Sequence, residues 1–163
     1  MKPEIPADRV RFVLDYNCET GVFTRKWCKR SNLIGSVANS KDGHGYIRIK
    51  VDGVNYLAHR LAWLWMTGDW PGQHIDHIDG NPSNNRWENL RCVTHQVNLQ
   101  NRRHATVSNK SGFLGVTSRG GSHMARIKRT DGKTIHLGSY GTPEQAHEAY
   151  LSAKRKLHDG CTL

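Results

Sequence analysis

A chain of 163 residues can fill one ordinary domain or two small ones, so its core is modest and divided. Its 24 Lys and Arg outnumber 14 Asp and Glu for a formal charge of +10, with an excess of 15 minus 10 over residues 1–104 and 9 minus 4 over residues 105–163. Both halves therefore favour a polyanionic partner, nucleic acid first, over a charge that serves solubility alone. No apolar run approaches the roughly 20 residues of a bilayer span, and MKPEIPADRV lacks the apolar stretch of a signal peptide. Cys18, Cys28, Cys92 and Cys161 form no CxxC pair, which argues against a zinc knuckle or a disulfide framework and fits a cytoplasmic protein.

From Cys18 to Tyr56 the pattern predicts a β meander of short strands, TGVFTRKW, GYIRIKV and VNYLA, broken by glycine turns, the last at Asp52-Gly53. Alternation within GYIRIKV puts Arg48 and Lys50 on one face, either facing DNA or simply solvated. AHRLAWLWMT, residues 58–67, predicts a largely buried helix ended by Gly68 and Pro71. His59 opens that helix beside apolar neighbours and is read as a structural hydrogen-bonding residue, outside the active site.

The segment HIDHIDGNPSNNRWENLRCVTHQVNLQNRR predicts a strand over 74–78, a loop dense in Asp, Gly, Asn and Pro, a second strand over 90–93, and a helix over 95–103 capped by Thr94. Residues 105–111 read as a linker. Beyond it FLGVTSR, HMARIKR and KTIHLGSY predict three strands, and TPEQAHEAYLSAKRKLH predicts a final amphipathic helix with Thr142 as cap and Pro143 in its first turn.

Hydrolysing a phosphodiester requires a base for the attacking water and positive charge for the phosphate as it reacts, usually from a divalent metal. His77 is a candidate base, and Asp76 beside it a candidate ligand. Adjacent strand residues point to opposite faces, so the two can serve one reaction only where the pleat ends or twists, as the nearby Gly80 allows. On the helix after the second strand, Asn98 and Asn101 each offer an amide oxygen suited to Mg²⁺ or Mn²⁺. Without further context, Asn-rich turns are usually only turns and a lone histidine is usually structural.

The run IDHIDGNPSNNRWENLRCVTHQVNLQN resembles the HNH endonuclease motif in the branch of phage and intron-encoded homing endonucleases, where asparagine replaces the last histidine. The likeness extends upstream through HRLAW, GYIRI and ETGVFTRK, over residues 16–103. It implies a ββα-metal (His-Me finger) nuclease with an upstream antiparallel β region. It also implies His77 as general base, Asp76 and Asn98 as ligands of one divalent cation, Mg²⁺ or Mn²⁺, and Asn89 as the central asparagine that braces the loop. Asn84 and Asn85 match the family's loop and are read first as turn formers. With Asn98 in the third motif position, a zinc site is disfavoured.

The C-terminal residues GVTSR, ARIK, IHLGSY and TPEQAHEAY resemble the plant ethylene-response-factor DNA-binding domain, in which a three-stranded sheet enters the major groove with a helix behind it. Alternation puts Ala125, Ile127, Ile135 and Leu137 toward the helix and Arg119, Arg126, Lys128, Thr134 and His136 on the open face. His136 stands where the plant domain has tryptophan, and Thr117 and Thr134 replace arginines, so the plant target sequence does not carry over. A face that grips phosphate without reading bases is the competing reading.

Together these point to an α+β protein with a nuclease domain over 1–104, a linker over 105–111 and a DNA-binding sheet and helix over 112–163. The expected activity is site-preferring nicking or homing cleavage of double-stranded DNA by a monomer. The rivals are a DNA-binding regulator with an inactive nuclease fold and an RNA-processing nuclease.

Overall fold

A computed structural model describes residues 4–106, 108–158 and 161–162, and the chain divides into two compact units, Met1–Thr94 and His95–Leu163. The first unit contains α1 (Ala7–Val13), β1 (Leu14–Asn17), β2 (Val22–Arg25), β3 (Arg48–Val51), β4 (Val54–Leu57), α2 (Ala58–Thr67), β5 (His74–His77) and β6 (Leu90–Val93). The second contains α3 (His95–Gln100), β7 (Val116–Arg119), β8 (Ser122–Lys128), β9 (Thr134–Tyr140) and α4 (Pro143–Leu157). Among the described residues no helix is long and apolar enough to cross a membrane.

In the first unit the N-terminal strands form two separate antiparallel hairpins, β1–β2 and β3–β4, in place of the single meander that the glycine spacing suggested. The irregular stretch between them forms isolated bridges, Thr24 to Val37 and Lys41 to Ile47, and exchanges further backbone hydrogen bonds with Phe23, Arg25 and Arg48. The β3–β4 turn has Asp52 at φ 47° and Gly53 at φ 86°, the pair of left-handed residues that a tight hairpin requires. The expected helix over 58–67 forms as α2, buries Leu61, Ala62 and Leu64, and stops at Gly68 in the left-handed region. Among the elements not anticipated are α1, whose seven residues are too few to show a period, and β1, which begins where α1 ends. Val10 and Val13 of α1 join Tyr16, Phe23, Ile49, Leu61, Ile75 and Leu90 in one core.

The second unit packs α4 on a sheet of order β7-β8-β9. Ala125 and Ile127 are buried with Val116, Ala146 and Tyr150, and Ile135 and Leu137 pack against them, as alternation predicted. Gly115 lies at φ 77° with the Tyr150 ring so close that a Cβ would sit 2.0 Å from it, so only glycine fits. Thr142 accepts a hydrogen bond from the Gln145 amide at 3.3 Å, and Pro143 follows it at the first position of α4. Lys154 of α4 is buried, and its ammonium donates to the Arg102 carbonyl. Thr162 donates to Asn101 and accepts from Arg103, so residues 101–103 are stitched into the second unit. The compact division thus falls before α3, earlier than the functional boundary read at residue 104.

Candidate active site

β5 and β6 pair antiparallel with Asp76 opposite Arg91 and His77 opposite Leu90. Their connection is a wide loop whose ends are fastened by Asn89, just before β6. The Asn89 carbonyl accepts from Ile78 at 2.9 Å, and its Oδ1 accepts from the Asp79 amide at 2.9 Å. Its Nδ2 donates to Asp79 Oδ1 at 2.9 Å and to the Asn84 carbonyl at 2.8 Å. Burial pushes the Asp79 carboxyl up, but hydrogen bonds from Asn84, the Asn81 amide and Asn89 outweigh it and hold the group below its usual range.

The same loop is supported from beneath by the β1–β2 hairpin. The Tyr16 hydroxyl donates to the Asn85 carbonyl at 2.7 Å, and the Cys18 carbonyl accepts from the Trp87 amide at 3.0 Å. Gly21, at φ 72°, touches the loop so closely that a Cβ would lie 2.4 Å from the Asn85 carbonyl carbon and 2.5 Å from the Arg86 nitrogen. Backbone atoms cannot swing away as a flexible side chain can, so this turn needs glycine for its dihedral and for its contact.

His77 ends β5 and is buried, with Nε2 3.2 Å from Asn85 Oδ1. Burial lowers its pKa, offset in part by Asn85, Asp79 and Asp76, so the imidazole is neutral at neutral pH. Where Asn85 Oδ1 accepts, Nε2 is the ring nitrogen that carries the proton. His59 meets His77 edge to face at 5.0 Å between ring centroids, and Tyr46 lies 5.5 Å from His59 and 6.0 Å from His77. The structural hydrogen bond expected of His59 is not found: its Nδ1 is buried with no partner among the described residues. Burial, then the neighbouring His77 and Arg60, drives its pKa down to about 3, so it packs against His77 as a neutral ring.

Asp76 is also buried, and Arg91 Nε and Nη2 reach its Oδ2 at 2.9 and 2.7 Å. An arginine opposite a buried carboxylate supplies the charge that allows the burial. Among the described residues no group of three His, Cys, Asp or Glu gathers as a metal cluster. A carboxylate and an asparagine amide, the ligand types expected from the sequence, offer hard oxygens that suit Mg²⁺ or Mn²⁺. Asn98 is a half-buried residue of α3, in the second unit, and Asn101 just beyond α3 is buried with its amide oxygen engaged by Thr162.

The expected DNA-facing side chains are exposed. Arg48 and Lys50 lie on the solvent side of β3, although Arg48 pairs with Asp42 at 2.9 Å. Arg119, Arg126, Lys128, Thr134 and His136 are all exposed on the sheet of the second unit, with Arg126 beside His136 and Lys128 beside Thr134 across β8–β9. Sequence reasoning missed Asn85, Arg91 and His59 as neighbours of the candidate residues. Arg91 was within reach, because pairing 74–78 with 90–93 sets it opposite Asp76. Nothing in a run of loop asparagines singles out Asn85.

A family model described as HNH endonuclease matches residues 56–100. Protein 3.8 of Escherichia phage T7 is 34% identical over 102 residues, covering 61% of this chain and 83% of that protein. YosQ from the SPbeta prophage of Bacillus subtilis, whose name assigns it as an HNH homing endonuclease, is 37% identical over 81 residues. That match covers 49% of this chain and 47% of YosQ, so the chain spans just under half the length of this relative. A solved structure described as DNA binding and cleavage by the HNH homing endonuclease I-HmuI aligns with 90% of this chain and 88% of that one, at 22% identity and a TM-score of 0.44.

Proposed function

From the match of residues 56–100 to the HNH endonuclease family, we propose that the chain is a metal-dependent, site-preferring endonuclease that nicks double-stranded DNA as a monomer, in the manner of homing enzymes. The observation that carries the reading is His77, a buried neutral imidazole held by Asn85 at the mouth of a loop that Asn89 clamps. His77 Nδ1 takes the proton of the attacking water, while the Asn85 bond keeps the ring in the tautomer that leaves Nδ1 basic. Asn89 holds Asp79 and Asn84 and so fixes the loop on which Asn85 stands. Asp76 and Asn98 are the side chains that would hold the cation. When bound, Mg²⁺ or Mn²⁺ supplies the positive charge that stabilises the phosphate and the departing 3′ oxygen, giving 5′ phosphate and 3′ hydroxyl ends.

The exposed face of β7–β9, with Arg119, Arg126, Lys128, Thr134 and His136, is the proposed DNA-binding surface of the C-terminal module, in keeping with its ethylene-response-factor likeness. Arg48 and Lys50 would add phosphate contacts from the nuclease module.

One observation favours a second reading, a DNA-binding protein with an inactive nuclease fold: Arg91 already occupies Asp76 Oδ2, the carboxylate assigned to the metal. A time course on supercoiled plasmid with Mg²⁺ or Mn²⁺ separates the two. Open circles should appear before linear DNA, EDTA should stop the reaction, and His77→Ala should bind DNA normally but cut at least about 100-fold more slowly. Parental rates in His77→Ala, or indifference to EDTA, would sink the assignment. RNA of the same sequence should resist cleavage.

A further inference from the structure

The first unit carries a groove of about 830 Å³ beside its N-terminal hairpins, away from the His77 loop in sequence and in lining residues. That volume lies within the ~300–1,000 Å³ of sites for small ligands. Five cationic residues line it, Arg9, Arg25, Lys29, Arg30 and Lys50, against the single carboxylate of Asp52. Two are engaged: Arg9 forms a bidentate pair with Asp52, and Arg25 donates to Ser36 Oγ and the Val37 carbonyl. The exposed Lys29, Arg30 and Lys50 have no ion pair among the described residues.

The groove wall also presents Trp27, which stays 42% exposed outside the hydrophobic core. Backbone and ring contacts hold it. The amides of Lys26 and Trp27 both donate to the Val13 carbonyl, at 3.0 and 3.2 Å, and Phe12 supports the indole at 5.9 Å between ring centroids. The Arg9 guanidinium lies 5.4 Å from the centroids of both rings. The exposed indole and the exposed Lys29, Arg30 and Lys50 thus line the same groove.

We propose that this groove binds one unpaired nucleotide of a DNA strand, with the base stacked on Trp27 and the flanking phosphates against Lys29, Arg30 and Lys50. In a duplex each base face is covered by its neighbours, so an exposed aromatic plane has no partner there; an unstacked base offers one. Exposed cations beside that plane match the phosphates on either side of such a base. The proposal rests on the nuclease reading only in taking DNA as the polymer.

Fluorescence anisotropy on the full chain tests it, with a labelled single strand, an all-abasic strand of the same length, and the duplex. The wild type should hold the single strand about tenfold more tightly than the abasic one. Trp27→Ala should erase that difference, Trp27→Phe should keep most of it, and neither should change duplex affinity. Lys29→Ala and Arg30→Ala should each lower the slope of log K against log salt for the single strand by about 0.7. Equal affinity of the wild type for normal and abasic strands overturns the proposal, and that arm needs no variant to fold. A base preference that survives in Trp27→Ala, an equal loss for duplex and single strand, or tighter binding of RNA of the same sequence would also overturn it. Plasmid nicking by the same preparation reports on the nuclease reading separately, since the wild type can cut DNA whether or not Trp27 stacks.

Discussion

Asn89 directs all three of its side-chain hydrogen bonds into one loop, to the Asp79 amide, the Asp79 carboxylate and the Asn84 carbonyl. Asn89→Ala leaves those groups without their partner, and the chain should lose about 2–4 kcal/mol of stability in urea denaturation. His59 gives a second test at this scale. Unfolded, it takes a proton near 6.5; folded, it resists until about pH 3. Stability should therefore fall as pH drops through that window, by up to about 1.4 kcal/mol per unit, and be fully restored above it. Thermal melts of wild type and His59→Phe between pH 7 and 4 check this, because the variant should lose the His59 share of the slope. His59 was legible as a buried helix residue, since its neighbours are apolar. Its partner was not, because the ring it meets stands 18 positions further on, and sequence spacing says nothing about which faces of two elements converge.

At the scale of elements, the strands and helices with a strong local signal were readable: Gly68 marks the end of α2, Thr142 and Pro143 the start of α4, and the alternation of Ala125 and Ile127 the inner face of β8. What failed was pairing. The same glycines that mark turns between strands also fit two hairpins separated by irregular chain, and the contacts that decide between them, such as Gly21 against Asn85, are non-local. The position of α3 is a further case. Its six residues cannot sustain a helix alone, so its neighbours determine its course. Lys154 donates to Arg102 just past its end, and burial lowers the ammonium pKa. Lys154→Ala should remove that bond and leave a cavity, costing about 2–4 kcal/mol in the second unit, measurable as earlier loss of amide protection in residues 95–103 during hydrogen exchange.

For the whole molecule the governing quantity is charge, +10 and shared by both halves of the sequence. Affinity for duplex DNA should fall steeply with salt, and Arg126→Ala and Lys128→Ala should each reduce the slope of log K by about 0.9 if they touch phosphate. Competition between cognate and random duplex at two salt concentrations distinguishes this from base reading, in which the variants narrow the gap between the two DNAs at constant slope. An unchanged slope and an unchanged gap would remove the β7–β9 face from the interface. Charge was the feature most plainly written in the sequence, because it survives any error in fold; its distribution over particular faces required the strands.

The buried ammonium of Lys154 under the Arg102 carbonyl also bears on how such a protein descends. A crossover that joined the first unit to a foreign partner after residue 104 would respect the linker read from the sequence, yet it would discard both Lys154 and Thr162, which hold residues 101–103. Recombinants of that kind begin life with a loosened α3, whereas an exchange at Thr94 transfers the helix together with its anchors. Heritable shuffling of the two units should therefore favour breakpoints ahead of α3, so that Asn98 travels with the second unit.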